Sequence, residues 1–409
     1  MENIYYLLKL TKKEIPKEYE KEFYSKKAIE NNCCQRCGAI CEKVCNECSE
    51  FGQLTDEDNL YIVKNKKAMQ KINYEDSLQK LNLTDLQQKA ADFMIDKINQ
   101  KKDGLIWAVC GAGKTEITFK AIEEVLRRKG LVCFAIPRID ILYEIKERLE
   151  EFFPKTKIAL LCGKEKEYKN AQIFVVTTNQ LIKFNDAFDL IIIDEVDAFP
   201  FEVEPKFIRC VNLARAKGSS VFYLTSTPSE KMLEQKIEYF VINRRWHNFD
   251  LPVPKIRYMD VAKINKKKNF IITCHILNKK RQILIFVANI KKCKKIAKHL
   301  RNNYKTQKID YVYSSDTKRK EKIKDFRDGK IDILVTTPIL ERGVTFKDID
   351  CIVLDADNEL YNVASLVQIA GRVGRNPNYQ KGKVYFYCKK ITKIIKKAKN
   401  QIKTMNKKY

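Results

Sequence analysis

The chain has 409 residues, 44% of them hydrophobic, and carries 79 Lys plus Arg against 52 Asp plus Glu, a formal net charge of +27. That length accommodates two or three domains with cores of their own, and no apolar run approaches the roughly 18 residues that cross a bilayer. The charge balance favours a polyanionic partner, nucleic acid above all, over lysines that are merely solvated.

Residues 1–32 are polar with patchy periodicity. The start "MENIYYLLKLTKKE" has an early acid and no long apolar core, so no secretory signal and a cytoplasmic protein are expected. Six of the fourteen cysteines then crowd into "CCQRCGAICEKVCNEC", Cys33 to Cys48. In a reducing compartment that crowding points to metal rather than disulfides. Cys34-x-x-Cys37 and Cys45-x-x-Cys48 have the spacing of two knuckles, each offering two thiolates to one tetrahedral zinc ion. Cys33 and Cys41 are spare and could replace an assigned ligand. A redox Cys-x-x-Cys would need one pair in a βαβ context. The module spans 33–48, and 49–82 reads as a charged connector.

From Leu83 the pattern becomes helices alternating with short apolar strands, "GLIWAV", "VCFAIP", "IFVVTT", "LIIID" and "VFYLTST". Such alternation predicts α/β architecture with a parallel sheet, over a first domain of 83–242. Between a strand and a helix lies "AVCGAGKTE", Ala108 to Glu116, the context a phosphate-binding loop requires. Gly111, Ala112 and Gly113 turn backbone N–H groups toward phosphate oxygens, and the following helix aims its N-terminus at the same anion. Lys114 reaches the β- and γ-phosphates, Thr115 holds Mg²⁺, and Glu116 closes the motif. Ala108 stands where the full pattern has its first glycine. About eighty residues on, "LIIIDEVDAFP" (190–200) drops Asp194, Glu195 and Asp197 behind a buried strand, where unpaired carboxylates are costly. Mg²⁺·ATP supplies the missing charge: Asp194 holds the magnesium and Glu195 polarises the attacking water.

The rhythm lapses at a linker, 243–262, where "RRWHNFDLPVPK" is broken by two prolines. It resumes over 263–390 with "QILIFV", "IDYVYSS", "IDILVTT", "CIVLDA" and "KVYFYC", a second α/β domain. Basic clusters gather in this half, at 263–268, 291–301, 318–324 and in the lysine-rich tail, assigned to 391–409. His247, His275 and His299 fit no constellation, and Trp107 reads as core.

Taken in order, these segments resemble the motif train of superfamily 2 helicases and translocases over 83–376. "GAGKTE" and "DEVD" resemble motifs I and II. "LTDLQ" resembles the adenine-reading element, with Gln87 in the reading position. "AIPRIDILYEI" and "VVTTNQL" resemble motifs Ia and Ib, and "TSTP" motif III, where Thr225 and Thr227 would couple nucleotide to DNA. "ILIFVANI", "TTPILERGVTF" and "QIAGRVGR" resemble motifs IV, V and VI. The resemblance implies two tandem RecA-like domains behind an N-terminal zinc-binding module. It also implies that Arg372 and Arg375, expected on one helix face, neutralise charge on the γ-phosphate beside Gln368. Arg138, Thr177, Thr178, Thr336 and Thr337 would grip the DNA backbone.

Within that superfamily, a four-cysteine module ahead of the first motor domain resembles the late-competence ATPases of bacterial DNA uptake. This resemblance implies an ATP-driven translocase on single-stranded DNA, working at the inner face of the cell membrane. Its implied partners are competence proteins at the membrane DNA-uptake channel and a phosphoribosyltransferase-like competence protein. A homo-oligomer is among the states it allows. Two rivals are a replication-restart or repair helicase of the same superfamily, and a basic zinc-containing DNA-binding adaptor with a vestigial ATPase.

Overall fold

The computed structural model of the chain describes residues 8–15, 17–63, 74, 81–163, 171–197, 205–260, 281–341, 346–379 and 382–407. The residues 198–200 that follow the acid cluster, the basic run at 263–268, His275 and the 342–345 part of motif V lie outside them. The chain divides into two compact units, Met1–Trp107 with Gly113–Val241, and Ile242–Tyr409 with the five loop residues Ala108–Ala112.

The first unit begins with small antiparallel pairs. Strand β1 (Phe23–Lys27) pairs with β6 (Asn59–Val63), β2 (Ile29–Glu30) with β3 (Cys33–Cys34), and β4 (Val44–Cys45) with β5 (Leu54–Thr55). The cysteine knuckles therefore sit inside a frame that runs from residue 23 to residue 63. Ahead of it, Leu10 exchanges two backbone hydrogen bonds with Tyr61, and Lys9 N–H donates to Lys183 O.

Behind this piece lies a seven-stranded sheet in the order β13 (Glu238–Ile242), β7 (Gly104–Ala108), β12 (Arg215–Thr225), β11 (Phe188–Asp194), β8 (Val132–Ile136), β10 (Ile173–Thr177), β9 (Ile158–Leu161). The ladders from β7 through β9 are parallel. Strands β8 and β10 are buried along their whole length, as "VCFAI" and "IFVVT" demand of a sheet covered on both faces. Helix α1 (Asp85–Asn99) starts at a capping box, in which Thr84 N–H donates to Gln87 Oε1 at 2.9 Å and Gln87 N–H returns to Thr84 Oγ1 at 3.4 Å. Helices α2 (Lys114–Arg127) and α3 (Ile139–Phe152) are the crossovers that parallel pairing requires.

Helix α4 (Pro205–Ala214) buries Phe207, Cys210, Val211 and Ala214, an i, i+3, i+4, i+7 stripe. The core they enter also contains Leu8, Leu10, Cys34, Cys37, Cys45 and Cys48. Arg209, on the same helix, reaches Cys37 O at 3.4 Å and pairs with Glu47. The N-terminal piece is thus packed on helix α4 of the first unit, sharing one core with its seven-stranded sheet.

The second unit holds a six-stranded sheet in the order β14 (Lys255–Tyr258), β19 (Val384–Cys388), β18 (Ile349–Val353), β15 (Gln282–Phe286), β17 (Ile333–Thr336), β16 (Ile309–Val312). Every ladder in it is parallel. After α5 (Glu230–Glu234) in the first unit, its helices are α6 (Ile290–Asn303), α7 (Arg319–Arg327), α8 (Val363–Ala370) and α9 (Lys393–Met405). The lysine-rich tail is therefore folded: Ile395, Ala398, Ile402 and Met405 form the buried stripe of α9, a helical period that the lysine count masked. Asn406 closes it onto the linker through two hydrogen bonds with Leu251.

Because Phe207 is 1% exposed at the centre of the shared core, Phe207→Ala should lower the unfolding free energy by about 3–5 kcal/mol. The N-terminal piece should become the first segment cut in limited proteolysis. Unchanged stability by urea denaturation would mean that this packing is not formed.

Candidate nucleotide-binding and metal sites

Strand β7 ends at Ala108, and the chain turns through Val109–Gly113 into α2. Gly111 and Gly113 have φ of +84° and +76°, values that side chains strain to adopt. A Cβ on Gly113 would also overlap the Gln87 side-chain amide. Gln87 is buried, its oxygen engaged by Thr84 and its nitrogen lying over the loop. Glu116 extends from the first turn of α2 and pairs with Arg148 at 3.1 Å.

Asp194, the last residue of β11, is 7% exposed and accepts from the Glu195 N–H at 2.8 Å. Burial raises its carboxyl to about 6, opposed mainly by the Lys114 ammonium, with Glu195 and Asp197 adding to the rise. Lys114 and Asp194 thus lie close enough within one unit for their charges to interact. Glu195 follows at φ +55°, a left-handed kink that ends the strand. Thr115 is buried at the start of α2.

Asp197 received no role from sequence. In the structure it accepts from Thr225 Oγ1 at 2.7 Å and from Thr227 Oγ1, and Thr227 N–H closes onto Thr225 Oγ1 at 2.9 Å. The last acid of DEVD and the two threonines of "TSTP" form one buried cluster. The parallel register that sets Asp194 beside Leu224 is what brings them together, and no local spacing could show it.

In the second unit, Gln368 is buried on α8 and its Oε1 accepts from Cys110 Sγ at 3.1 Å. Arg372 is 2% exposed and donates through Nε to Glu341 O at 2.9 Å. The expected shared helix face is not found, because α8 stops at Ala370 and Gly374, at φ +68°, turns the chain. Arg372 and Arg375 lie in the turns beyond. Sequence also missed Arg245. It is buried, donates to Val373 O at 2.8 Å and to Gly371 O at 3.2 Å, and lies against Gly111. Burial lowers its value to about 10, helped by Arg375. Of the residues nominated for DNA, Arg138 caps α3 and Thr337 follows β17, both half-buried; Thr177, Thr178 and Thr336 are buried at strand ends.

Cys34, Cys37, Cys45 and Cys48 are all buried, with their sulfurs within 4.8 Å of one another. The Cys34–Cys48 and Cys37–Cys45 separations are 3.7 and 3.5 Å. With zinc–sulfur bonds of about 2.3 Å, a tetrahedral site sets its sulfurs about 3.8 Å apart, so these four fit zinc. Cys33 and Cys41 are half-buried and outside this group. Thiol donation from Cys37 and Cys48 pulls Cys34 well below the usual thiol range. No helix among the described residues is long and apolar enough to cross a membrane.

Residues 80–230 match the family described as type III restriction enzyme, res subunit, and 266–377 match the helicase conserved C-terminal domain. Among solved structures, the fold is similar to the DEAD-box helicase Mss116 bound to ssRNA and UDP-BeF, with a TM-score of 0.61 and 17% identity over 78% of this chain and 77% of that one. Two parallel-sheet RecA-like domains with these motifs define the class, the ATP-hydrolysing superfamily 2 helicases. The chain is 34% identical to "Competence protein ComFA" of Streptococcus pneumoniae (strain ATCC BAA-255 / R6), over 91% of its length and 90% of the relative's. It is also 34% identical to "Competence protein ComFA" of Bacillus subtilis (strain 168), over 91% and 85%. It belongs to the ComFA family.

The raised Asp194 value has a sign that can be checked. Between the ordinary 3.8 and about 6 the folded chain holds more proton there than the unfolded chain, so this carboxyl's contribution falls as pH rises through that window. Asp194→Asn should make the nucleotide-free protein about 1–3 kcal/mol more stable than the parent at pH 8, with no gain near pH 4, while Mg²⁺-nucleotide binding is lost. Destabilisation at pH 8 in thermal unfolding would show that the charge is needed for folding.

Proposed function

We propose that this chain is an ATP-driven translocase on single-stranded DNA that serves DNA uptake in natural competence. The observation that carries the reading is the buried Asp194 facing Lys114 behind an intact phosphate loop, in a chain with ComFA relatives over nine-tenths of its length. A decayed ATPase would have no reason to hold a carboxylate where burial opposes its charge.

In this reading Lys114 and the backbone of Gly111, Ala112 and Gly113 bind the phosphates, and Gln87 reads the adenine. Thr115 and Asp194 would hold magnesium, which supplies charge neutralisation at the phosphates when bound. Glu195 orients the attacking water and takes its proton. Arg372 and Arg375, with Gln368, stabilise charge developing on the γ-phosphate. The Asp197–Thr225–Thr227 cluster ties the strand that carries the acids to motif III, so a shift at Glu195 is transmitted without an intervening mobile side chain. Arg138 and Thr337 are the accessible nominees for the DNA backbone, with Thr177, Thr178 and Thr336 shaping the strand ends that present them. Zinc on Cys34, Cys37, Cys45 and Cys48 is structural, since four thiolates leave no position for chemistry. Workplace and partners follow the relatives' competence role: the cytoplasmic face of the membrane, the DNA-uptake channel and a phosphoribosyltransferase-like protein.

ATP turnover should be slow alone and rise with single-stranded DNA, whose binding favours the hydrolysing conformation. Glu195→Gln should bind ATP normally yet lose about 10²-fold or more in turnover. Equal rates for parent and variant in a phosphate-release assay would remove Glu195 from the chemistry.

DNA affinity should fall steeply with salt, by about 0.7 log units per phosphate contact for each tenfold rise in salt, and be indifferent to sequence. A flat response in fluorescence anisotropy would return the exposed lysines of α6 and α9 to the role of solvated surface.

A further inference from the structure

We propose that Lys9 and Arg36 are the built-in counter-charges of the four-cysteine centre, positioning residues that set its metal affinity and join it to the motor unit. The inference rests on the reading that Cys34, Cys37, Cys45 and Cys48 hold zinc.

Lys9 is 2% exposed and Arg36 3%. Lysine and arginine are rarely that buried without an anionic partner, and a buried cation left uncompensated is strongly unfavourable. Among the described residues neither pairs with a carboxylate. Arg36 instead meets sulfur directly, and Lys9 is bonded to Arg36. Arg36, inside the first knuckle, donates through Nε to Cys48 Sγ at 3.4 Å, and its other nitrogens hold Phe51 O at 3.1 Å, Cys48 O at 3.3 Å and Gly52 O. Lys9 donates to Arg36 O at 2.6 Å; burial lowers its ammonium to about 8, and the sulfurs of Cys210, Cys34, Cys37 and Cys48 oppose that shift.

One divalent ion on four thiolates carries a net charge of about −2. Two buried monovalent cations cancel it. The metal-loaded centre is then neutral as a whole, which is the condition for burying it against the apolar stripe of α4. Without metal the same two cations face an incomplete set of negative charges. Lys9 also carries the effect outward, because its backbone N–H is bonded to Lys183 O and its neighbour Leu8 bridges Phe184. Metal retention and docking of the N-terminal piece are thereby coupled through one residue.

The test uses the full-length protein. Zinc affinity is measured by chelator competition for the parent, Lys9→Met, Arg36→Met and Lys9→Arg, and the cobalt-substituted forms are compared by their sulfur-to-metal charge-transfer absorption. Each Met variant should lose about 10- to 100-fold in affinity, the range for outer-sphere partners of a metal site. Lys9→Arg should stay close to the parent. In the cobalt form of Arg36→Met the charge-transfer band should move to longer wavelength, since the thiolate loses a hydrogen-bond donor; packing alone would not shift it. Parent-like affinity in both Met variants overturns the inference, as does an equal loss in Lys9→Met and Lys9→Arg, which would make Lys9 a packing residue. If Lys9→Met fails to fold, the band position and affinity of Arg36→Met decide. A parent protein that binds no metal at all would sink the zinc reading itself, and one that binds zinc while the variants are unaffected sinks only this inference.

Discussion

Asp194 is held where two physical demands conflict. Its backbone belongs to β11, a central strand buried on both faces, and its carboxylate must carry charge at the strand's end. Burial raises its proton affinity and the Lys114 ammonium lowers it; the balance leaves a buried carboxyl that titrates near 6 rather than in the usual carboxylate range. Much of the first unit follows from keeping that pair together. The loop before Lys114 must approach closely, so Gly113 takes a left-handed φ beneath the Gln87 amide. The sheet must be parallel, so that β7, β10, β11 and β12 all deliver their C-terminal ends to one edge, where ligands of open α/β sheets bind.

Parallel register then does the finer positioning. Asp194 lies beside Leu224, and Thr225 beside Trp107, so the acids, the "TSTP" turn and the start of the phosphate loop come from neighbouring strands. Asp197 converts that adjacency into hydrogen bonds with Thr225 and Thr227. A buried carboxylate with both oxygens engaged by hydroxyls is stiff.

A second electrostatic constraint operates at the other end of the same unit. The cysteine knuckles are two-residue strands and turns that cannot bury enough apolar surface to fold alone. They are held by their sulfurs, by the β1–β6 ladder around them and by α4 beneath, and the cations buried with them demand a negative centre. The four-cysteine cluster is consequently part of the first unit's core.

Sequence alone carried whatever depends on short-range chemistry. The G-x-G-K-T loop, the acids behind an apolar run, the paired Cys-x-x-Cys knuckles and the strand–helix alternation are each local, because backbone φ, helix dipoles and ligand spacing act over a few residues. Tertiary structure decided what depends on register and on chain reversal. The Asp197 cluster needs strands joined across thirty residues, and the arginines of "QIAGRVGR" lie outside the helix because it stops at Ala370 and Gly374 turns the chain at φ +68°. The lysine-rich tail became a packed helix once its sparse apolar stripe found α8. Docking of residues 8–63 on α4, and with it the burial of Lys9 and Arg36, brings together segments up to two hundred positions apart. Such contacts form only when the core closes, and no single window of the sequence contains both partners.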